Sequence, residues 1–233
     1  MTLLAPKTAP VRGERIVEAS FLAGAKQIDQ FPPPVLLEVA FAGRSNVGKS
    51  SLMNSLMERN GLVRTSGTPG CTRQISWFHA KASDGAELCL TDLPGYGYAK
   101  RSKDERKVWA RVIEAYLLGR PTLRAVVLLT DARRGFEDDD RDLVELLQGQ
   151  AQTSRPPVEV VLVGTKLDKL SVSARKPAMA ALDRSELPRA LGTKVLGYSA
   201  VENIGRLELW RRLRSAAGLD TPVVAAATES QPV

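Results

Sequence analysis

The chain has 233 residues, enough for one compact domain with tails or at most two small ones. A hydrophobic share of 43% supports a buried core, yet no apolar run reaches the roughly 20 residues that span a bilayer, and Met1 to Lys7 lack the charged start and long apolar centre of a secretory signal, so a cytoplasmic, membrane-free protein is expected. The net charge of +7 points to a polyanionic partner, nucleic acid ahead of membrane, and the two cysteines, Cys71 and Cys89, supply neither a disulfide framework nor a zinc set.

In chain order, residues 1–17 read as a flexible leader, 18–218 as a single domain and 219–233 as a disordered tail rich in Pro, Thr, Ala and Gln. Residues 19–26 suit a short helical turn, and Phe31-Pro32-Pro33-Pro34 a rigid extended linker. Strand patterns follow at 38–42, 74–81, 87–91, 125–130, 158–163 and 194–198, and helix patterns at 49–58, 103–118, 138–148, 172–185 and 203–217. This alternation predicts an α/β fold, a three-layer arrangement with a mostly parallel six-stranded sheet and helices on both faces. Asp84-Gly85, between the second and third strands, is a hairpin signal, so one edge strand is expected to run antiparallel. Cys89 sits in an apolar run and reads as a small core residue. The acidic run from Glu137 to Asp140 opens a helix and complements its dipole.

Gly43-Arg44-Ser45-Asn46-Val47-Gly48-Lys49-Ser50 fits G-x-x-x-x-G-K-[ST], between an apolar strand and a helix. That context makes it a P-loop: glycines let the backbone wrap phosphate oxygens, and the helix start supplies N–H donors and a favourable dipole. Lys49 would reach the outer phosphates and the Ser50 hydroxyl would ligate Mg²⁺. Asp92-Leu93-Pro94-Gly95 ends the third strand. Asp92 can hold the Mg²⁺ shell and Gly95 can present its N–H to the terminal phosphate, although D-x-x-G also occurs wherever a strand ends in a turn. Thr165-Lys166-Leu167-Asp168 follows the fifth strand. A carboxylate at Asp168 can accept from guanine N1–H and the 2-amino group, which adenine does not offer, while the Lys166 stem lies along the base. After the last strand, at Tyr198, a backbone N–H of Ser199-Ala200 could contact guanine O6. Thr68-Pro69-Gly70-Cys71-Thr72-Arg73, followed by Gln74, forms a loop with two threonines, either of which could complete Mg²⁺ coordination when a γ-phosphate is present.

The order of these elements resembles the translation-factor-related GTPases, and within them the EngB-type (YihA/YsxC) ribosome-biogenesis family. The resemblance is carried by residues 19–30 (ASFLAGAKQIDQ), 41–52 (FAGRSNVGKSSL), 68–72 (TPGCT), 92–100 (DLPGYGYAK) and 165–168 (TKLD), within roughly 18–215. It implies a monomeric GTPase that binds GTP and GDP with Mg²⁺, held by Ser50 and Thr72, the latter preferred over Thr68. Lys49, Thr72 and Gly95 would carry catalysis. Gly70, Cys71, Arg73 and Gln74 would line the nucleotide. Asn46 occupies a position that similar GTPases use for K⁺. The implied role is assembly of the large ribosomal subunit, through that subunit or its rRNA, with a requirement in cell division and septation. Alternative readings are a nucleotide-gated RNA- or ribosome-binding module in which hydrolysis only resets binding, a purely structural basic RNA binder, and an ATPase.

Tyr96 stands where Ras-like enzymes place a water-orienting glutamine, and it cannot do that work, so slow intrinsic turnover is expected. No general base is visible, and His79, the sole histidine, sits beside Trp77 and Phe78 on a strand, where a structural role is expected. Lys100, Arg101, Lys103, Arg106, Lys107 and Arg111 cluster just beyond, with Val108, Trp109, Val112, Tyr116 and Leu117 as the core face of the same helix. They form either a nucleotide-controlled phosphate-binding face or a merely solvated one. Arg206, Arg211, Arg212 and Arg214 decorate the last helix, where favouring the dipole is the plainer reading.

Overall fold

The computed structural model describes residues 13–64, 74–96, 103–149 and 155–219, with backbone alone for 103–109. The loop carrying Thr68, Gly70, Cys71, Thr72 and Arg73, and the basic side chains from Lys100 to Lys107, lie outside the described residues.

Thirteen main elements follow one another: β1 (Ile16–Ala25), β2 (Glu38–Gly43), α1 (Lys49–Leu56), β3 (Ile75–Ala82), β4 (Glu87–Asp92), α2 (Lys103–Gly119), β5 (Leu123–Asp131), α3 (Asp138–Gln148), β6 (Glu159–Thr165), α4 (Val172–Asp183), α5 (Glu186–Leu191), β7 (Leu196–Gly197) and α6 (Arg206–Ala216). They build one seven-stranded sheet in the order β1-β3-β4-β2-β5-β6-β7. The β4-β2-β5-β6-β7 ladder is parallel, whereas β1–β3 and β3–β4 are antiparallel. The expected α/β sheet is therefore present, with the hairpin at Asp84-Gly85, where Gly85 has a φ of 89°. The sheet has a seventh strand, however, because residues expected as a helical turn form β1. Ala, Leu and Lys there favour helix locally, but the antiparallel ladder from Ile16–Ala82 to Ala25–Ile75 overrides that preference. The antiparallel β3 is thus interior and β1 is the edge, broken by register shifts at Ile16/Glu18 and Phe21/Ala23 that blunt it against edge pairing.

Two cores cover the sheet. Val39 and Phe41 of β2, with Val127 and Leu129 of β5, face Leu52, Met53 and Leu56 of α1 and Leu209, Trp210 and Leu213 of α6. Ala40, Ala42, Val126 and Leu128 face Val112, Tyr116 and Leu117 of α2 and Val144 of α3. Strict alternation along a doubly covered strand explains why all six residues of β2 are buried. Cys89 belongs to the second core, and burial pushes its thiol up to about 12.

The four arginines of α6 are all ion-paired. Arg206 meets Glu58 at 2.9 Å, Arg212 meets Glu159 at 2.6 Å, Arg214 meets Asp84 at 2.6 Å and Arg211 pairs with Glu14. The Trp210 indole donates to Gly13 O at 2.8 Å, so α6 binds the segment leading into β1. His79 lies 3.0 Å from Glu87 and 4.0 Å from Glu18, on the strands to either side of β3. At the amino-terminal end of the parallel strands, Glu38, 1% exposed, accepts from Arg120 Nε (2.6 Å), Thr122 (2.7 Å), Tyr116 (2.9 Å) and Trp77 (3.0 Å), so the buried carboxylate is fully engaged. The opposite, carboxyl ends of β2, β4, β5, β6 and β7 carry the loops considered next.

Candidate nucleotide site

In an open α/β sheet, ligands bind beyond the carboxyl ends of the strands, where strand order reverses. Here β2 lies between β4 and β5, and the Gly43–Ser50 loop leaves its carboxyl end. Gly48 caps the start of α1 with φ 103°, a conformation open to glycine. Lys49 opens α1, is 7% exposed and pairs through Nζ with Asp92, itself 3% exposed at the end of β4. Ser50 is half-buried in the same helical turn, while Asn46 is exposed with φ 63°. Val47 is buried in the first core, so the loop is anchored by its one apolar member.

The D-x-x-G segment packs directly on this loop. Leu93 is buried and donates its N–H to Phe41 O at 3.1 Å, and Pro94 is buried beside it. A Cβ added to Gly95 would stand 3.1 Å from Ser45 N and 3.2 Å from its Cα, so only glycine fits without displacement. Ser45 N–H donates to Tyr96 O at 3.1 Å, and Arg44 and Tyr96 form an isolated parallel bridge. The Tyr96 hydroxyl donates to Asp140 at 2.5 Å. Asp140 also accepts the Glu137 N–H at 2.8 Å, in a reciprocal capping box that starts α3, and Glu137 pairs with Arg44. Burial pushes the Asp140 carboxyl up, and burial followed by the nearby Asp140 charge pushes the Tyr96 phenol well above its ordinary value. The acidic run thus does more than complement the dipole. Its ties to Arg44 and Tyr96 join residues far apart in sequence and carry no local signal.

The residues expected to meet the base assemble at the ends of β6 and β7. Thr165, 3% exposed, shares its hydroxyl proton between Val47 O (2.6 Å) and Thr130 O (2.9 Å). Lys166, at φ 61°, donates from Nζ to Asn46 O at 2.5 Å and lies 3.2 Å from Asp131. Leu167 is buried in the second core, fixing the turn between them. Asp168 Oδ1 accepts from the Ser199 hydroxyl at 2.9 Å, and Oδ2 stands 3.5 Å from Lys169 Nζ. Burial opposes the Asp168 charge, but the Ser199 hydroxyl, a backbone amide and Lys169 outweigh it and lower the carboxyl. Tyr198 is buried with its hydroxyl on Ser55 at 3.1 Å, and its N–H is engaged by Gly164 O. Ser199 N–H is likewise engaged by Ile204 O. Among the described residues, that leaves the Ala200 N–H, without a backbone partner, as the amide of the three best placed to meet a base oxygen.

Asp131, at the end of β5 and in register with Thr165, was not anticipated. Burial pushes its carboxyl up, yet the Arg133 fork (2.7 and 2.9 Å), the Arg133 N–H and Lys166 hold it well below the usual carboxylate range. Its signal in the sequence is an Asp closing an apolar strand. A cavity of about 230 Å³ lies beside the phosphate loop, lined by Arg44, Asn46, Asp131, Arg134, Glu137 and Lys166. Gln74 turns elsewhere: its amide lies against Gly24 and donates to Ser76 Oγ at 3.3 Å. No group of three or more His, Cys, Asp or Glu suited to a metal occurs among the described residues. The donors at the phosphate loop, a Ser50 hydroxyl and the Asp92 carboxylate, are the hard oxygen ligands that suit Mg²⁺ shared with phosphates and water.

The model of the 50S ribosome-binding GTPase family matches residues 38–166. A probable GTP-binding protein EngB from Desulforapulum autotrophicum is 42% identical over 85% of this chain and 96% of its own length. One from Trichlorobacter lovleyi is 39% identical over 89% and 99%. Among solved structures, Aquifex aeolicus Era superposes with a TM-score of 0.60 at 22% identity, covering 77% of this chain and 56% of that one. A probable GTP-binding protein engB gives 0.55 at 21%, covering 78% and 98%. Both share the fold. No described helix is long and apolar enough to cross a membrane. A phosphate loop and a D-x-x-G turn on one sheet, with the family match and identities of about 40% along nearly the full length of the two EngB relatives, place the chain in the EngB family of GTP-binding proteins, as a P-loop GTPase.

Proposed function

We propose that this GTPase is a Mg²⁺-dependent nucleotide switch with slow intrinsic hydrolysis, acting on the large ribosomal subunit during its assembly and needed for normal division and septation. The observation that carries the switch is the meeting of Lys49, Asp92 and Gly95 on one side of the phosphate loop with Thr165, Lys166, Asp168 and Ser199 on the other. The ribosomal target is supported by the description of the matching family and by the +7 net charge. Mg²⁺ would be held by Ser50 and Thr72 with Asp92 behind, and when bound it supplies neutralisation of phosphate charge. Lys49 and the loop amides orient the phosphates, Gly95 reports the terminal one, and Asp168 with Ala200 N–H selects guanine. Asn46 is the proposed K⁺ contact, which identical turnover in K⁺ and Na⁺ buffers would eliminate.

Phosphoryl transfer to water requires a group that orients the nucleophile. The Tyr96 phenol is committed to Asp140 and offers no such group, which supports slow turnover and a partner that completes the site. Co-sedimentation with large ribosomal subunits, in GDP and in a non-hydrolysable GTP analogue across a salt series, tests the reading. Binding is expected to favour the analogue and to fall steeply with salt. Binding that ignores nucleotide and survives Lys49→Ala would overturn it.

A further inference from the structure

Tyr96 does more than fail to replace a glutamine. Its carbonyl occupies the Ser45 N–H, its hydroxyl is held by Asp140, and Asp140 is joined through the Glu137 capping box to Arg44 of the same phosphate loop. These contacts close a ring: Ser45, Tyr96, Asp140, Glu137, Arg44. Within it Gly95 rests so close to Ser45 that even a methyl carbon would crowd the Ser45 backbone. Ser45 is a phosphate-loop residue whose amide is spent inside this ring, and Gly95 is the residue that must turn its own amide toward a terminal phosphate. A third phosphate therefore has to draw Gly95 from Ser45 and Tyr96 with it, whereas a diphosphate places no group there.

We propose that Tyr96 is a positioning residue, a latch that ties the D-x-x-G turn to the start of α3 and sets the discrimination between GTP and GDP by opposing the triphosphate arrangement. The latch rests on the GTPase assignment but is a separate property: GDP binding reports the nucleotide site, and the ratio of the two affinities reports the latch. Tyr96→Phe deletes only the hydroxyl and keeps the ring in place. Asp140→Ala removes the acceptor from the other side.

The experiment titrates fluorescent GDP and a fluorescent non-hydrolysable GTP analogue into the full chain, its Tyr96→Phe and Asp140→Ala variants and the double variant. Each single change is expected to tighten the GTP analogue by about tenfold, the scale of one hydrogen bond to a charged group, with GDP affinity held within about twofold. The double variant should match Asp140→Ala, because that change already removes the Tyr96 contact along with the Asp140 half of the capping box. A merely structural role would move both nucleotides together. Equal shifts for both ligands, no shift in Tyr96→Phe, or additive effects in the double variant would each overturn the proposal.

Discussion

Asp168 gives one oxygen to the Ser199 hydroxyl and keeps the other 3.5 Å from the Lys169 ammonium. The carboxylate is thereby oriented and held anionic, which a pair of donors on one base edge demands. Asp168→Asn replaces one acceptor by a donor, so it should weaken GDP binding by about 100-fold or more and turn preference toward xanthine. Competition between GDP and xanthosine diphosphate measures this, and unchanged GDP affinity would refute guanine selection by Asp168. The pattern from Thr165 to Asp168 is local, so the sequence alone is enough to propose it. Ser199 was legible only by its order in the chain, since its contact spans 31 residues. Asp131 was missed because a single Asp at a strand end matches no motif; only its register beside Thr165 reveals it.

At the scale of elements, the parallel strands were readable from their apolar runs, and α3 was read with its observed bounds because Glu137 to Asp140 announce a helix start. The edge strand β1 was not, because its Ala and Leu residues favour helix and its partner lies fifty or more residues away. What makes β1 a strand is tertiary: the β3 ladder on one side, and the ties of Gly13 and Glu14 to α6 just before it. Arg214 extends that tie to the β3–β4 turn, where the hydrogen bond from its guanidinium, more than any other contact, lowers the Asp84 carboxyl. A depressed folded-state pKa stabilises above the unfolded value, about 3.9 for Asp, and that stability is lost as pH falls through the folded value. Asp84→Asn should therefore lower stability at neutral pH by about 1–2 kcal/mol, and the difference from the parent should vanish at pH values below the depressed pKa. Urea unfolding at neutral pH and in acid checks both halves; a constant difference across that range would show that the charge pair is not responsible.

Across the whole molecule, the sheet places the phosphate loop at the end of its central strand and the proposed base-binding turn, Thr165 to Asp168, one strand beyond β5. Thr165 and Lys166 cross that interval, one reaching the Val47 carbonyl and the other that of Asn46. Under the proposed assignment, the base-binding turn and the phosphate loop are joined directly by these two hydrogen bonds. Ligands without any base should feel that linkage. Thr165→Val keeps the shape and removes the shared proton, so it should weaken competition by inorganic tripolyphosphate against fluorescent GDP by about tenfold, the scale of a buried hydrogen bond with two acceptors left behind. An effect confined to guanine-bearing ligands would show instead that the two halves act independently. If the prediction holds, a change at Thr165 alters the grip on phosphates through a contact made two strands away from the loop.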